Sequence, residues 1–319
     1  MDVYFYEAFE EEARLIEELL QGKLLFDLTD KTIQESGDKI PPARLISIRT
    51  QSLIPVDWQS QLDGVLSRTT GFDNLKAYKK ALNTPVALGY LEEYATRAVA
   101  EQAILLMLSL LRRLPQQIHQ FRHFQRDGLT GLEALGQNLL VVGVGRIGGE
   151  IVRLAQPLGL NVRGVDIVER HDFVHYVQPE DGLAWADIII SAMNLTDQNI
   201  HYFSYDLLKK ARPGVIFINV ARGEHAPLYD LLRLVQEGHL GGLALDVFED
   251  EPLLATALRT DQARVSEKAR IVFDLLAYPQ VILTPHNAFN TAEALQRKVQ
   301  FSLDEIFYFL EYHQFRHQL

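Results

Sequence analysis

Through the N-terminal part of the chain, short apolar runs alternate with stretches whose apolar positions recur at helical spacing. VYFY (3–6), KLLFDL (23–28), LISIR (45–49), GVLSR (64–68) and PVALG (85–89) read as strands. FEEEARLIEELLQG (9–22) reads as a helix that Gly22 stops. Strands separated by helices in this way predict a parallel sheet, since parallel neighbours need a crossover connection. ATRAVAEQAILLMLSLLRRL (95–114) is apolar on nearly every side, which predicts a helix buried in a core or across a subunit interface. Beyond it, LLVV, LNVRGVD, DFVHYV, ADIIISA, GVIFINV, GGLALDV and QVILTP are further strand candidates, most of them separated by helical patterns. TAEALQRKVQFSLDEIFYFLEY (291–312) reads as one long helix.

The pattern predicts two doubly wound α/β domains. Residues 98–290 form a complete dinucleotide-binding domain of Rossmann type. Residues 1–97 form a smaller flavodoxin-like domain, joined by 291–319 because the last helix is too isolated to fold alone. A cleft between the domains is expected to hold the substrate.

Composition narrows the function. Cysteine is absent, which excludes disulfides, thiolate metal sites and cysteine nucleophiles. The formal net charge of −11 works against binding nucleic acid or an anionic membrane, and the short basic run RHFQR (122–126) reads as a solvated patch. No apolar run reaches the roughly 18 residues that span a bilayer. The acidic N-terminus has no basic segment of the kind a secretory signal carries, so a cytoplasmic chain is expected.

Gly143-Val144-Gly145-Arg146-Ile147-Gly148 is a GxGxxG loop in a telling context: a strand pattern precedes it, a helical pattern follows, and a second strand ends on Asp166. Gly143 would permit the tight turn, Gly145 would let a pyrophosphate approach, and Gly148 would allow close helix–strand packing. The helix start would meet the phosphates with free N–H groups. Asp166 would accept a ribose hydroxyl and repel a 2′-phosphate, which favours NAD over NADP; Arg170 softens that preference.

Strand ends in such a sheet face the ligand. Arg222 follows GVIFINV, Asp246 ends GGLALDV with Glu251 just beyond, and His286 follows QVILTP. A histidine can give or take a proton near neutrality, and a carboxylate beside it orients the ring and favours its charged form. An arginine offers a forked donor to a substrate carboxylate.

These segments resemble the D-isomer-specific 2-hydroxyacid dehydrogenase family. GVGRIG with Asp166, NVARGE, DVFEDEP and TPHNAF occur in the family's order, and AVAEQAILLML resembles the segment leading into its cofactor domain. The resemblance implies His286 as general acid/base, Glu251 as its partner and Arg222 as substrate anchor. It places Arg146, Ile147 and Asp246 beside the cofactor. SRTTGFDN (67–74) resembles the substrate loop, so the N–H groups of Thr69, Thr70 and Gly71 are expected to meet the substrate carboxylate. HNAF followed by TAEAL, the long stretch from Glu251 to His286, and Tyr94 near the substrate are most similar to the D-lactate dehydrogenase branch. The implied reaction is reduction of a small 2-keto acid, pyruvate favoured, by an NAD-dependent homodimer. A branched, aromatic or phosphorylated acid or glyoxylate is the alternative; Arg49 and Arg68 keep the phosphorylated one open. A non-catalytic, NAD-sensing corepressor-like protein is a further one. Asn194, where the family usually has proline, EHAPLYD, and the first 60 residues depart from its pattern.

Overall fold

The computed structural model describes residues 1–259 and 267–319 of the chain. They divide into two compact units, one of residues 1–95 with 290–319, the other of residues 96–289.

The first unit starts with β1 (Val3–Phe5), α1 (Glu10–Leu20), β2 (Phe26–Leu28), α2 (Ile33–Ser36), β3 (Leu45–Ile48), β4 (Gly64–Ser67), α3 (Asp73–Ala81) and β5 (Ala87–Tyr90). All five strand expectations for this region fall on these strands. They pair in parallel in the order β2-β1-β3-β4-β5. Alternation along β3 and β4 sends Ile46, Ile48 and Val65 to one face, into an apolar core with Tyr6, Trp58, Leu75 and Leu88. On the opposite face Arg68 reaches α1.

The second unit runs through α4 (Thr96–Leu111), α5 (Leu114–Gln120), β6 (Asn138–Val142), α6 (Arg146–Ala155), β7 (Asn161–Val165), α7 (Pro179–Trp185), β8 (Ile188–Ser191), α8 (Tyr205–Leu208), β9 (Val215–Asn219), α9 (Leu228–Gln236), β10 (Leu240–Leu245), α10 (Glu251–Arg259), α11 (Glu267–Leu276) and β11 (Val281–Leu283). Its six parallel strands are ordered β11-β10-β9-β8-β6-β7. Both sheet faces are covered, and β8 and β9 are buried at every position, as parallel strands between helix layers must be. The apolar helix α4 packs against α6, β9, β10 and β11 within this unit. The expected strand DFVHYV is not one: it turns, and touches β7 through a single bridge from Tyr176 to Gly164. Gly164 allows this approach, because a side chain there would overlap Val174.

The long helix α12 (Ala292–Tyr312) belongs to the first unit and packs on α1 and β4. Its contact with α1 holds a buried charge cluster. Glu12 Oε1 accepts from Arg68 Nε at 2.9 Å and lies 2.8 Å from Lys298 Nζ. The other two arms of Arg68 donate to Ser47 Oγ at 3.1 Å and the Tyr6 carbonyl at 2.8 Å. Burial works against a charged Glu12, but Arg68, Lys298 and Arg49 outweigh it and hold its carboxyl down to about 2.

Glu12→Gln would leave buried cations without their countercharge, so it should cost about 3–5 kcal/mol at neutral pH, measurable by urea unfolding. The folded-state value of Glu12 is depressed, so its contribution is present above the unfolded value of 4.5 and is lost as pH falls towards 2. The difference between wild type and variant should therefore shrink across that interval.

Candidate active site

In the second unit, β6 and β8 lie side by side while the chain leaves them in opposite directions across the sheet. Ligands of doubly wound folds bind at such a switch point, outside the carboxyl ends of the strands. The glycine loop sits there, and its three glycines meet three different demands. Gly143 has φ +89°, and a side chain on it would lie 2.5 Å from the backbone nitrogen of Met193 after β8. A Cβ on Gly148 would lie 2.0 Å from the Gly143 carbonyl oxygen, so the start of α6 can rest on the turn only as glycine. At Gly145 an added Cβ meets nothing within 4 Å. That is the open flank of the loop, where the first N–H groups of α6 point out of the helix.

Asp166, just past β7, braces this loop. Its Oδ2 accepts from the Val144 N–H at 2.6 Å and its Oδ1 from the Val168 N–H at 3.0 Å. A carboxylate keeps further lone pairs for a ribose hydroxyl. Sequence reasoning noted Arg170 here and passed over His171. The His171 Nε2 lies 3.2 Å from the Gly145 carbonyl oxygen, and its ring packs over Gly149, where a Cβ would meet it at 2.7 Å. A histidine in a loop of mixed polarity gives no periodic signal that would have marked it.

Past β10 and β11, the structure brings His286 and Glu251 together. Nδ1 of His286 lies 2.7 Å from Glu251 Oε1, with both side chains partly open to solvent. Glu251 is the first residue of α10. His286 has φ +50°, a costly conformation for a residue with a side chain. Asp246 maintains it. This residue is fully buried and accepts from the Thr284 hydroxyl at 2.6 Å and from the N–H groups of Asn287 and Ala288 at 2.9 Å each. Burial pushes the Asp246 carboxyl up, against the lowering effect of Thr284, His286 and the two N–H groups. Thr284, unremarked in the sequence, is thus part of the support for the histidine turn. Its signal was its place, one residue past a strand and two before the histidine.

Arg222 leaves β9 three residues after Asn219. The Asn219 side chain donates to the Arg222 carbonyl at 2.8 Å and accepts from the Ala221 N–H at 3.0 Å, fixing the turn. Arg222 Nη1 donates to the Ala221 carbonyl at 2.7 Å. Next to it, Gly223 presses on the segment after β10: a Cβ there would lie 1.8 Å from the Phe248 carbonyl carbon. The turns carrying Arg222 and Glu251 are therefore set against each other by backbone contact.

In the first unit, Thr69, Thr70 and Gly71 follow β4. Among the described residues their N–H groups make no hydrogen bond. The loop is nonetheless fixed, since the Thr69 hydroxyl donates to the Gly71 carbonyl at 2.5 Å and the Leu91 N–H donates to the Thr69 carbonyl at 3.2 Å. Three backbone donors on a fixed turn suit a carboxylate. Tyr94 is buried, and Arg297 on α12 donates to its carbonyl at 2.9 Å.

The second unit has the geometry of a dinucleotide-binding domain and carries a histidine–carboxylate pair. The comparisons name the class further. The D-isomer specific 2-hydroxyacid dehydrogenase NAD binding domain matches residues 104–288, more than half of the chain. The chain is 32% identical over 235 residues to 2-hydroxyacid dehydrogenase homolog 1 of Schizosaccharomyces pombe, covering 72% of this chain and 70% of that one. It is 29% identical over 243 residues to an aromatic 2-oxoacid reductase of Clostridium sporogenes, covering 74% and 72%. The crystal structure of a D-lactate dehydrogenase from Aquifex aeolicus, complexed with NAD and lactic acid, is similar with a TM-score of 0.85 at 26% identity, over 97% of this chain and 95% of that one. The chain belongs to the D-isomer specific 2-hydroxyacid dehydrogenase family, and NAD is its cofactor.

Gly145→Ala should separate folding from cofactor binding. The site has room within the chain, so stability should change by about 0.5 kcal/mol or less. The methyl group would stand on the open flank, and NADH affinity, followed by fluorescence titration, should fall at least tenfold.

Proposed function

We propose that the protein is a cytoplasmic reductase of a small 2-keto acid, pyruvate favoured, giving the D-2-hydroxy acid. The observation that carries this reading is the 2.7 Å contact between His286 and Glu251 on a turn bolted down by Asp246. With Nδ1 committed to Glu251, Nε2 is the ring nitrogen that delivers a proton. NADH, when bound, supplies the hydride that reduces C2 of the keto acid. His286 gives its proton to the carbonyl oxygen as negative charge develops there, and Glu251 stabilises the ring while it is charged. Arg222 anchors the substrate carboxylate and supports the same developing charge. The N–H groups of Thr69, Thr70 and Gly71 receive that carboxylate from the first unit, with Tyr94 close to the substrate. Asp166, Arg146, Ile147 and the glycine loop hold the dinucleotide, and Asp246 serves the nicotinamide end by fixing the histidine turn. The chain works as a homodimer in this reading, supported by the exposed apolar side chains Leu105, Leu114, Ile118, Phe121 and Phe124.

The test is NADH oxidation followed at 340 nm with pyruvate and larger 2-keto acids. His286→Ala should lower turnover by roughly 10² or more while NADH binding persists. Full turnover in that variant would remove the acid–base role. Stoichiometric NADH binding without turnover on any keto acid would point to a binding protein instead.

A further inference from the structure

The three demands on the glycine loop leave one glycine of α6 without a reason. Gly149 follows Gly148 inside the helix, where glycine is a poor choice because it gives up backbone freedom and packs nothing. His171, from the segment after β7, takes the space its missing side chain leaves. A Cβ on Gly149 would lie 2.7 Å from Nε2 of that ring and 3.0 Å from its Cδ2. The helix gives way at this position so that one imidazole can reach the Gly145 carbonyl oxygen, 3.2 Å from Nε2.

A carbonyl oxygen can only accept, so Nε2 carries the proton and donates. The same oxygen accepts from the Gly149 N–H at 2.9 Å, which is the first hydrogen bond of α6. Two donors therefore converge on the carbonyl of the residue that caps the helix. A peptide unit is planar and trans, so its C=O and N–H point in opposite directions. Fixing the Gly145 carbonyl towards α6 and His171 sends the Arg146 N–H the other way, out of the start of the helix. Glycine restrains its own torsions weakly, so the ring supplies restraint that the backbone lacks.

His171 is itself held in place. The Phe173 ring lies 5.0 Å from it, tilted by 34°, and the Arg153 guanidinium of α6 covers Phe173 at 4.6 Å. The Gln156 side chain donates to the Phe173 carbonyl at 3.3 Å. The His171 N–H donates to the Tyr176 hydroxyl at 3.3 Å, and Tyr176 bridges to Gly164 of β7. The segment is thus anchored to the helix and to the sheet between which the glycine loop runs. An apolar ring would pack on Phe173 and Gly149 as well; the imidazole adds a donor.

We propose that His171 is a positioning residue for the cofactor: its Nε2–H holds the Gly145–Arg146 peptide with the N–H facing the diphosphate of NAD. It acts through the loop, without touching the nucleoside. The inference concerns cofactor binding alone and stands whichever keto acid is reduced.

The test measures dissociation constants for NADH, by fluorescence titration, and for ADP and adenosine, by displacement of NADH. His171→Phe keeps a ring and removes the donor, so the constants for NADH and ADP should rise roughly tenfold, while that for adenosine stays within about twofold. His171→Gln restores an N–H donor and should recover most of the loss. Gly149→Ala drives the ring off the carbonyl from the helix side and should weaken NADH roughly as much. Combined with His171→Phe it should add little, because both remove one interaction. NADH binding within about twofold of wild type in Gly149→Ala overturns the proposal, whether or not the variants at 171 fold. An equal loss for adenosine overturns it too, since that marks direct contact with the nucleoside or a general loosening of the fold. Full NADH affinity in His171→Phe shows that packing alone suffices, and strictly additive losses in the double variant separate the two residues; either result also overturns it.

Discussion

A carboxylate with no access to water must find donors inside the fold, and at Asp246 that requirement organises the site. The side chain follows β10 directly and receives three hydrogen bonds from the turn that follows β11. Those bonds draw the turn over the neighbouring strand and pay for the left-handed backbone at His286. The ring then points at Glu251, at the start of α10, rather than away from it. Loss of the buried carboxylate would leave three donors unsatisfied and a strained turn without cause, so the pair's geometry depends on a residue that need not touch the substrate.

Close backbone contact is the second organising constraint, and glycine is what permits it. Gly143 and Gly148 bring the start of α6 onto the end of β6, and Gly223 brings the Arg222 turn against Phe248. At each, a single methyl group would overlap backbone atoms that have nowhere to move. Gly145 is different in kind, because the space beside it is open. Three glycines of one motif are thus required for three reasons, and only the structure tells which is which.

Much of this was legible in the chain. A parallel strand buried on both faces is a continuous apolar run, so β8 and β9 announced themselves. The candidate site was legible too, because a parallel sheet presents its strand ends to a ligand, and Arg222, Asp246 and His286 stand just past theirs. DFVHYV misled, since alternating apolar residues also describe a segment that rests on a sheet edge through one glycine. The supports were harder. Thr284, Asn219 and His171 act through single hydrogen bonds between residues far apart in sequence, and no local pattern encodes such a pairing. Arg49 and Arg68 looked alike in the sequence, two arginines each following a strand. Both are buried, and their partners separate them: Arg68 completes a core ion pair with Glu12, while Arg49 lies over the Phe9 ring.

That difference bears on how each unit uses its charges. In the second unit, His286 and Glu251 stay partly open to solvent on a turn held by the buried Asp246, so their charges remain available to a ligand. In the first unit, Glu12, Arg68 and Lys298 are buried and spend their charges on one another. A buried cluster of this kind adds little net stability, because the cost of taking charges out of water offsets most of their attraction, yet losing one partner is expensive. What it supplies is a fixed pairing: α12, remote from α1 in sequence, docks where Lys298 meets Glu12.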